Sequence, residues 1–201
     1  MSDFLKAWST KAPLGRALDI GAGVGNQSRW LASRGFKVDA VEIHPDQLKT
    51  LQTTVHGSNV TIHATDICQF DLVSRRYSLI AALAVFHFIA PSQMRPLAER
   101  LQESLAPGGL LLAQVFTTDD PGFDEAKQNG LKQIEDNTFA VDPPVNLIHY
   151  FEKDELRRLF SQLEVLHYKT ERVIATTSDA DYRAGAAIVA RRKPQDHFKP
   201  T

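Results

Sequence analysis

The sequence predicts an α/β fold, a mainly parallel sheet covered by helices on both faces. Three observations predict it. Apolar runs of strand length alternate with helix-like segments along most of the 201 residues. A glycine-rich turn, GAGVG at 21–25, joins the first such run to the first helix. Two strand-like runs follow one another near the end, which adds an antiparallel pair at one edge.

The elements come in order. RALDI (16–20) is a short apolar run, and NQSRWLASRG (26–35) reads as a helix ended by Gly35. FKVDAVEI (36–43) alternates and then turns apolar, as a strand does. PDQLKTLQTTV (45–55) opens with proline at the first helical position. NVTIHATDI (59–67) alternates. YSLIAALAVFHFI (77–89) starts as a buried strand. PSQMRPLAERLQESLA (91–106) carries Leu97, Leu101 and Leu105 four apart, and the PGG that follows stops it. LLLAQVF (110–116) is a buried strand and KDELRRLF (153–160) a helix. LEVLHYKTERVIATT and YRAGAAIVARR are the final two strands, with a turn near SDAD between them. The chain shows no repeats and no low-complexity segment, so residues 1–201 read as one domain.

Bulk properties narrow the function. Apolar residues make up 43% of the chain, yet no run approaches the roughly 18 residues of a membrane span, so no membrane partner is expected. The formal net charge is −1 and no basic block precedes the tail RRKPQDHFKP, so nucleic acid is not an expected partner. The start, MSDFLKAWSTK, lacks a basic segment followed by an apolar one, and Cys68 is the single cysteine. Both features predict a reducing, cytoplasmic setting. His44, His56, His63 and Cys68 do not have metal-ligand spacing, so no metal is expected.

The glycine turn carries the first functional signal. Gly21, Gly23 and Gly25 lie between a strand and a helix, where main chain can approach a phosphate or nucleotide closely. The spacing is G-x-G-x-G, which is neither the dinucleotide G-x-G-x-x-G nor a P-loop. A tight strand-to-helix turn would use the same glycines, and both readings stay open at this point.

ALDIGAGVG, then the acidic residue in VDAVEIHP, then HATDI after the third strand, resembles the class I S-adenosylmethionine-dependent methyltransferases. The resemblance runs on through LAPGGLLLAQVF and the last strand pair. It implies a Rossmann-like, mixed seven-stranded sheet of order 3-2-1-4-5-7-6, strand 7 antiparallel, and S-adenosylmethionine as cofactor. It also implies site residues. Glu42, with Ile43 beside it, would accept both hydroxyls of the ribose. Asp66 would take the adenine amino group, with Ile67 against the ring. Asp19 would help hold the methionine end or pin the loop. Leu83 and Ala84 would offer backbone carbonyls to the cofactor amino group, or be core. Ala22 stands where cysteine is commoner. Ser78 replaces the family's usual aspartate, so any role of that aspartate is absent.

Methyl transfer is an in-line displacement. The enzyme aligns the nucleophile and, for a hydroxyl or protonated amine, supplies a base. The candidate catalytic residues are His87 in VFHFI, just beyond strand four, and His149 with Tyr150 in LIHYF. Each has an alternative, a buried histidine for the first and a packing aromatic pair for the second. His167 and Arg183 on the terminal strands can hold an anionic acceptor or be plain strand residues.

Within the family, GNQSRWLASRGFKVDAVEIHPDQL, AVFHFI, TTDDPGF, HYFEKDELRRLF and AAIVARRK resemble the tellurite-resistance type of small methyltransferase. That type implies a small-molecule acceptor, a thiol or a tellurium or selenium oxyanion. A small-molecule O- or N-methyltransferase with a histidine base, and a non-catalytic cofactor binder, are the alternatives. Residues 119–148 are longer than the linker of that type and read as an insertion or cap over the acceptor side, with DEAKQNGLKQIED as a short helix. Phe4, Leu5 and Trp8 share one helical face, so 1–12 reads as a lid helix or one packed on the sheet. The expected assembly is a monomer or a homodimer.

Overall fold

The computed structural model describes residues 2–174 and 182–194. A seven-stranded sheet forms its centre. The strands are β1 (Arg16–Ile20), β2 (Lys37–Glu42), β3 (Val60–Ala64), β4 (Tyr77–Leu83), β5 (Leu105–Phe116), β9 (Glu164–Ile174) and β10 (Tyr182–Arg191). Their order is β3-β2-β1-β4-β5-β10-β9. The first five run parallel, and β10 is antiparallel to both β5 and β9. This is the expected 3-2-1-4-5-7-6 arrangement. The turn foreseen near SDAD lies outside the described residues.

Strand alternation decides which helix covers which face. Ala17, Val38, Leu79 and Ala81 point to the side of α1 (Asp3–Ser9) and α2 (Asn26–Ser33), where Leu5 and Leu31 are fully buried. Leu18, Ile20, Ile80 and Ala82 point the other way, to Leu97, Ala98 and Leu101 of α4 (Pro91–Ser104) and to Leu156 of α6 (Glu155–Leu159). Period two in the strands and period near 3.6 in the helices are thus read on one core. α3 (Pro45–Thr54) adds Leu51, packed with Ala22 and Ala40. Burying a leucine such as Leu31 or Leu101 stabilises by about 1.5–3 kcal/mol.

A charged knot ties the strands opposite the glycine turn. Asp39 of β2 is buried and accepts from Arg16 of β1 at 2.9 Å and from the Tyr77 hydroxyl of β4 at 3.1 Å. His63 of β3 and the Arg76 guanidinium lie 3.3 and 3.5 Å away. A buried carboxylate without such partners would cost several kcal/mol.

Three local expectations need correction. The helix foreseen over 91–106 stops at Ser104. LAPGG is instead the irregular start of β5, with Leu105 paired to Tyr77 and a register shift before Leu79. Second, DEAKQNGLKQIED is helical only in its first part. α5 (Pro121–Gln128) opens on Asp120, whose side chain accepts from the Gly122 N–H, and closes before Gly130 at φ +67°. Third, the rest of the insertion forms a small antiparallel sheet: β6 (Gln133–Glu135), β7 (Thr138–Ala140) and β8 (Leu147–His149), in that order. Phe123, Ala126, Phe139 and Tyr150 are its core.

α1 packs against the sheet face through Leu5. Trp8 sits 5.5 Å, ring to ring, from His167 of β9. Among the described residues, no helix is long and apolar enough to cross a membrane.

Candidate active site and cofactor cradle

The carboxyl ends of the parallel strands meet a cavity of about 570 Å³. Open parallel sheets bind ligands at this edge, because the strands on either side of the switch point send their connections to opposite faces. Here β1 and β4 are neighbours, and the helices that follow them cover opposite faces.

The three glycines of the turn have two different reasons. All have positive φ, +65°, +56° and +87° for Gly21, Gly23 and Gly25. At Gly21 a side chain would strike Val85 at 2.6 Å, and at Gly25 it would strike Leu51 at 2.5 Å. At Gly23 it would project into open space, with nothing closer than the Gly21 carbonyl at 4.0 Å. Gly21 and Gly23 line the cavity, while Gly25 is buried against α3. Two of the glycines therefore serve packing, and one keeps bare backbone facing a space of ligand size.

Glu42 lies opposite Gly23. It is buried and its carboxylate accepts three backbone N–H groups, from Gly23 to Oε2 and from Ile43 and His44 to Oε1, all at 2.8 Å. A carboxylate has about four lone-pair sites, so one remains toward the cavity. Asp66 accepts the Cys68 N–H at 2.9 Å through one oxygen and lines the same space. Ile67 and the exposed Ile43 contribute apolar wall. Pro144, Val145, Asn146 and Leu147, from the end of the insertion, close another side.

Asp19 is placed differently. It is buried behind the turn and accepts the Ser28 hydroxyl at 2.6 Å, fastening α2 to β1. Burial pushes its carboxyl up to about 6 against the opposing Ser28 hydrogen bond, and the Glu42 charge adds to the rise. Leu83 turns its side chain to the α1–α2 core. Ala84 follows at φ +60°, a conformation that costs a non-glycine residue about 1–3 kcal/mol. It lines the large cavity and a second one of about 240 Å³ beyond it.

The second cavity lies where β4 and β5 end and β10 begins. His87 and Phe116 line it with Arg183 and Glu171. His87 follows β4 on a 3-10 turn and is almost fully buried. Its Nδ1 accepts the Phe116 N–H at 3.4 Å, and its Nε2 has no hydrogen-bond partner among the described residues. Burial pushes its imidazole down to about 3, and the nearby Arg183 and His149 add to the fall. Arg183 lies over the Phe116 ring, 4.0 Å from its centroid, and donates through Nε to Asp120 at 2.9 Å. Asp120 also accepts the Ala184 N–H at 2.7 Å.

His149 and Tyr150 are not brought to either cavity. His149 is buried between Thr138, whose Oγ1 is 2.8 Å from Nδ1, and Glu155, whose Oε1 is 3.1 Å from Nε2. It lines a polar groove between α4, α6 and the β6–β7 turn. Tyr150 packs on Phe123 and Phe139. Burial pushes its phenol up to about 12, with the Asp120 charge adding. His167 belongs to the α1 contact. Sequence reading missed Asp120, Gln114 and Glu171. Only the acidic pair before Pro121 in TTDDPGF hinted at Asp120, as a helix N-cap.

Residues 17–109 match the methyltransferase-domain family model. A curated relative, ribosomal RNA small subunit methyltransferase A of Rubrobacter xylanophilus, is 38% identical over 85 residues, which is 41% of this chain. The match spans about a third (32%) of that relative's length. Among solved structures, an S-adenosylmethionine-dependent methyltransferase from Methanosarcina mazei superposes with a TM-score of 0.79 at 17% identity, covering 97% of this chain and 99% of that one. TehB from Haemophilus influenzae gives 0.72 at 19% identity, over 95% and 62%. The Burkholderia thailandensis 1,6-didemethyltoxoflavin-N1-methyltransferase, with didemethyltoxoflavin and S-adenosylhomocysteine bound, gives 0.68 at 21%, over 94% and 75%. The sheet order and these superpositions show the fold shared with S-adenosylmethionine-dependent methyltransferases, and residues 17–109 carry the methyltransferase-domain match.

Proposed function

We propose that the protein transfers the methyl group of S-adenosylmethionine to a small-molecule acceptor whose nucleophile needs no general base, a thiolate or a chalcogen oxyanion. The observation that carries the absence of a base is the state of the two candidate histidines. The single lone pair of neutral His87 is spent on the Phe116 amide, and both nitrogens of His149 are engaged by Thr138 and Glu155. An alcohol or amine would need one of these groups to take a proton. A soft anion needs alignment and a dry site.

The large cavity fits the cofactor on its own chemistry. Bare main chain at Gly23 faces it, and the carboxylates of Glu42 and Asp66 stand at the ends of neighbouring strands. In this reading Glu42, through its one remaining lone pair, takes a single ribose hydroxyl rather than the pair, while Asp66, through its free oxygen, takes the adenine amino group between Ile43 and Ile67. Gly21 and Gly23 present backbone to the methionine end, and Asp19 holds that turn through Ser28. The cofactor supplies a methyl carbon activated by a sulfonium, which becomes a thioether as the carbon–sulfur bond breaks. Ala84 stands at the passage to the acceptor side, and residues 144–147 exclude water from above. The 119–148 insertion is in this account the cap over the acceptor.

The test is product formation. Supplied with S-adenosylmethionine and separate thiol, selenite, phenol and amine acceptors, the protein should release S-adenosylhomocysteine with the first two. Methylation of phenols or amines alone, lost on replacing one histidine, contradicts the soft-nucleophile reading. No product with any acceptor, together with cofactor binding, marks a binding protein instead.

A further inference from the structure

The second cavity holds an unused polar group. His87, about 1% exposed, is one of the residues lining a space of about 240 Å³, and its buried Nε2 has no hydrogen-bond partner among the described residues. A buried polar atom in that state is destabilising unless something bonds it. The direction of the missing bond follows from the other ring nitrogen. The Phe116 N–H donates to Nδ1, so Nδ1 carries the lone pair and the proton sits on Nε2. His87, in the wall of this cavity, therefore carries an unmatched N–H that calls for an acceptor atom.

The neighbours say which kind. Arg183 of β10 lies in the same wall. Its Nε is held by Asp120 and its guanidinium lies over Phe116, and among the described residues its two terminal nitrogens make no hydrogen bond. Asp120 is itself buried and accepts from Gly122, Arg183 and Ala184, which makes it the fixed support of that cation. Glu171 also lines the cavity, but it is paired with Lys169. One unmatched N–H and one guanidinium supported by Asp120, both belonging to residues of the same cavity wall, match a planar or pyramidal oxyanion.

We propose that His87 and Arg183, with Asp120 as positioning residue, form an oxyanion subsite that selects the methyl acceptor. His87 is in this account a hydrogen-bond donor and not a base. The subsite meets the cofactor cavity at Ala84, so the oxyanion is either a carboxylate handle of an organic acceptor or the inorganic nucleophile itself. The proposal rests on the cofactor reading above. It is consistent with the neutral imidazole that burial and Arg183 enforce.

The test uses the full chain saturated with S-adenosylhomocysteine, whose binding is measured first. Benzoate, its neutral isostere benzamide, and selenite are then titrated into wild type, Arg183→Met, His87→Phe and His87→Gln. Wild type should prefer benzoate to benzamide by about tenfold or more, the size of a charge-assisted contact. Arg183→Met and His87→Phe should each lose roughly tenfold in benzoate affinity with benzamide unchanged. His87→Gln keeps a donor near the Nε2 position and should recover most of the loss. Selenite binding with the same variant pattern assigns the subsite to the nucleophile, and benzoate binding without selenite assigns it to a handle. Nitrogen NMR of the imidazole should show Nε2 protonated and Nδ1 bare. Normal S-adenosylhomocysteine binding with no preference for benzoate, or a proton found on Nδ1, overturns the subsite alone. Failure of S-adenosylhomocysteine to bind folded wild type overturns the cofactor reading instead. Arg183 is partly exposed, so its variant remains informative if His87→Phe does not fold.

Discussion

The two halves of the sheet edge are built from different materials. Over β1, β2 and β3 the site is mostly main chain and strand-end carboxylates: Gly23, the N–H groups held by Glu42, and Asp66. Over β4, β5 and β10 it is side chains fixed by long-range contacts. Asp120 reaches Ala184 across 64 residues of sequence, and His87 meets Phe116 across 29. In the proposed function the first half binds the cofactor, under the end of the insertion at Pro144–Leu147, and the second half chooses the acceptor. The lesson is that a cofactor cradle can be fixed by local backbone geometry, whereas an acceptor site needs tertiary support for each polar group.

The sharpest way to break this contrast is a pair of glycine variants in the turn. Gly23→Val places atoms in ligand space and should abolish measurable S-adenosylmethionine binding. Its left-handed backbone costs only about 1–2 kcal/mol, so circular dichroism should still show a folded sheet. Gly25→Val drives into Leu51 and Val55 and should cost about 3–5 kcal/mol of stability, read by denaturant unfolding. If Gly23→Val unfolds and Gly25→Val does not, the functional and packing glycines have been exchanged.

Glu42→Gln is the next largest effect. The amide presents an NH2 group where backbone N–H donors already crowd, so the turn loosens and the ribose loses an acceptor. Calorimetry should show S-adenosylhomocysteine binding weakened by about 1.5–3 kcal/mol. Equal affinity would remove Glu42 from the site.

Asp19 sharpens the comparison through pH. Its folded-state carboxyl lies near 6 against an ordinary value of 3.8, so between those values the folded chain binds the extra proton. Stability from this group is full below 3.8 and is lost as pH rises through about 6. Asp19→Asn cannot ionise and still accepts from Ser28. It should therefore be more stable than wild type at neutral pH by about 1–3 kcal/mol, with no gain below 3.8. A variant equally stable at both pH values contradicts the burial argument. A gain in stability joined to weaker cofactor binding would mark Asp19 as a residue kept for function at a cost to the fold.

The smallest effect belongs to His149. His149→Gln should lower stability by about 1 kcal/mol through Thr138 and Glu155, with turnover within about tenfold of wild type. A fall of 10²–10⁴-fold, about the size of a general-base contribution, would restore it as a base.

The same contrast explains what was legible in the sequence. The sheet strands and helices α2, α3, α4 and α6 followed from periodicity, proline and glycine. The wall residue Gly23 followed from its strand-to-helix turn, and Glu42 and Asp66 from the family resemblance of the strand ends that carry them. The irregular start of β5 did not, because PGG both stops a helix and permits a kinked strand. Strands of three residues in the insertion are too short to show a period. His149 and Tyr150 looked available because an aromatic pair beside a helix carries no sign of its partners. Thr138 and Glu155, which engage His149, become visible only when the small sheet is assembled. Asp120 shows no more than a helix cap until β10 arrives beside it.

The most direct test of the account is a crystal structure with S-adenosylmethionine bound. The account predicts the adenosine between Ile43 and Ile67, the ribose on Glu42, and the sulfonium methyl directed past Ala84 toward His87 and Arg183. Cofactor bound with its methyl facing the groove of His149, or lodged away from the Gly23 turn, would contradict it.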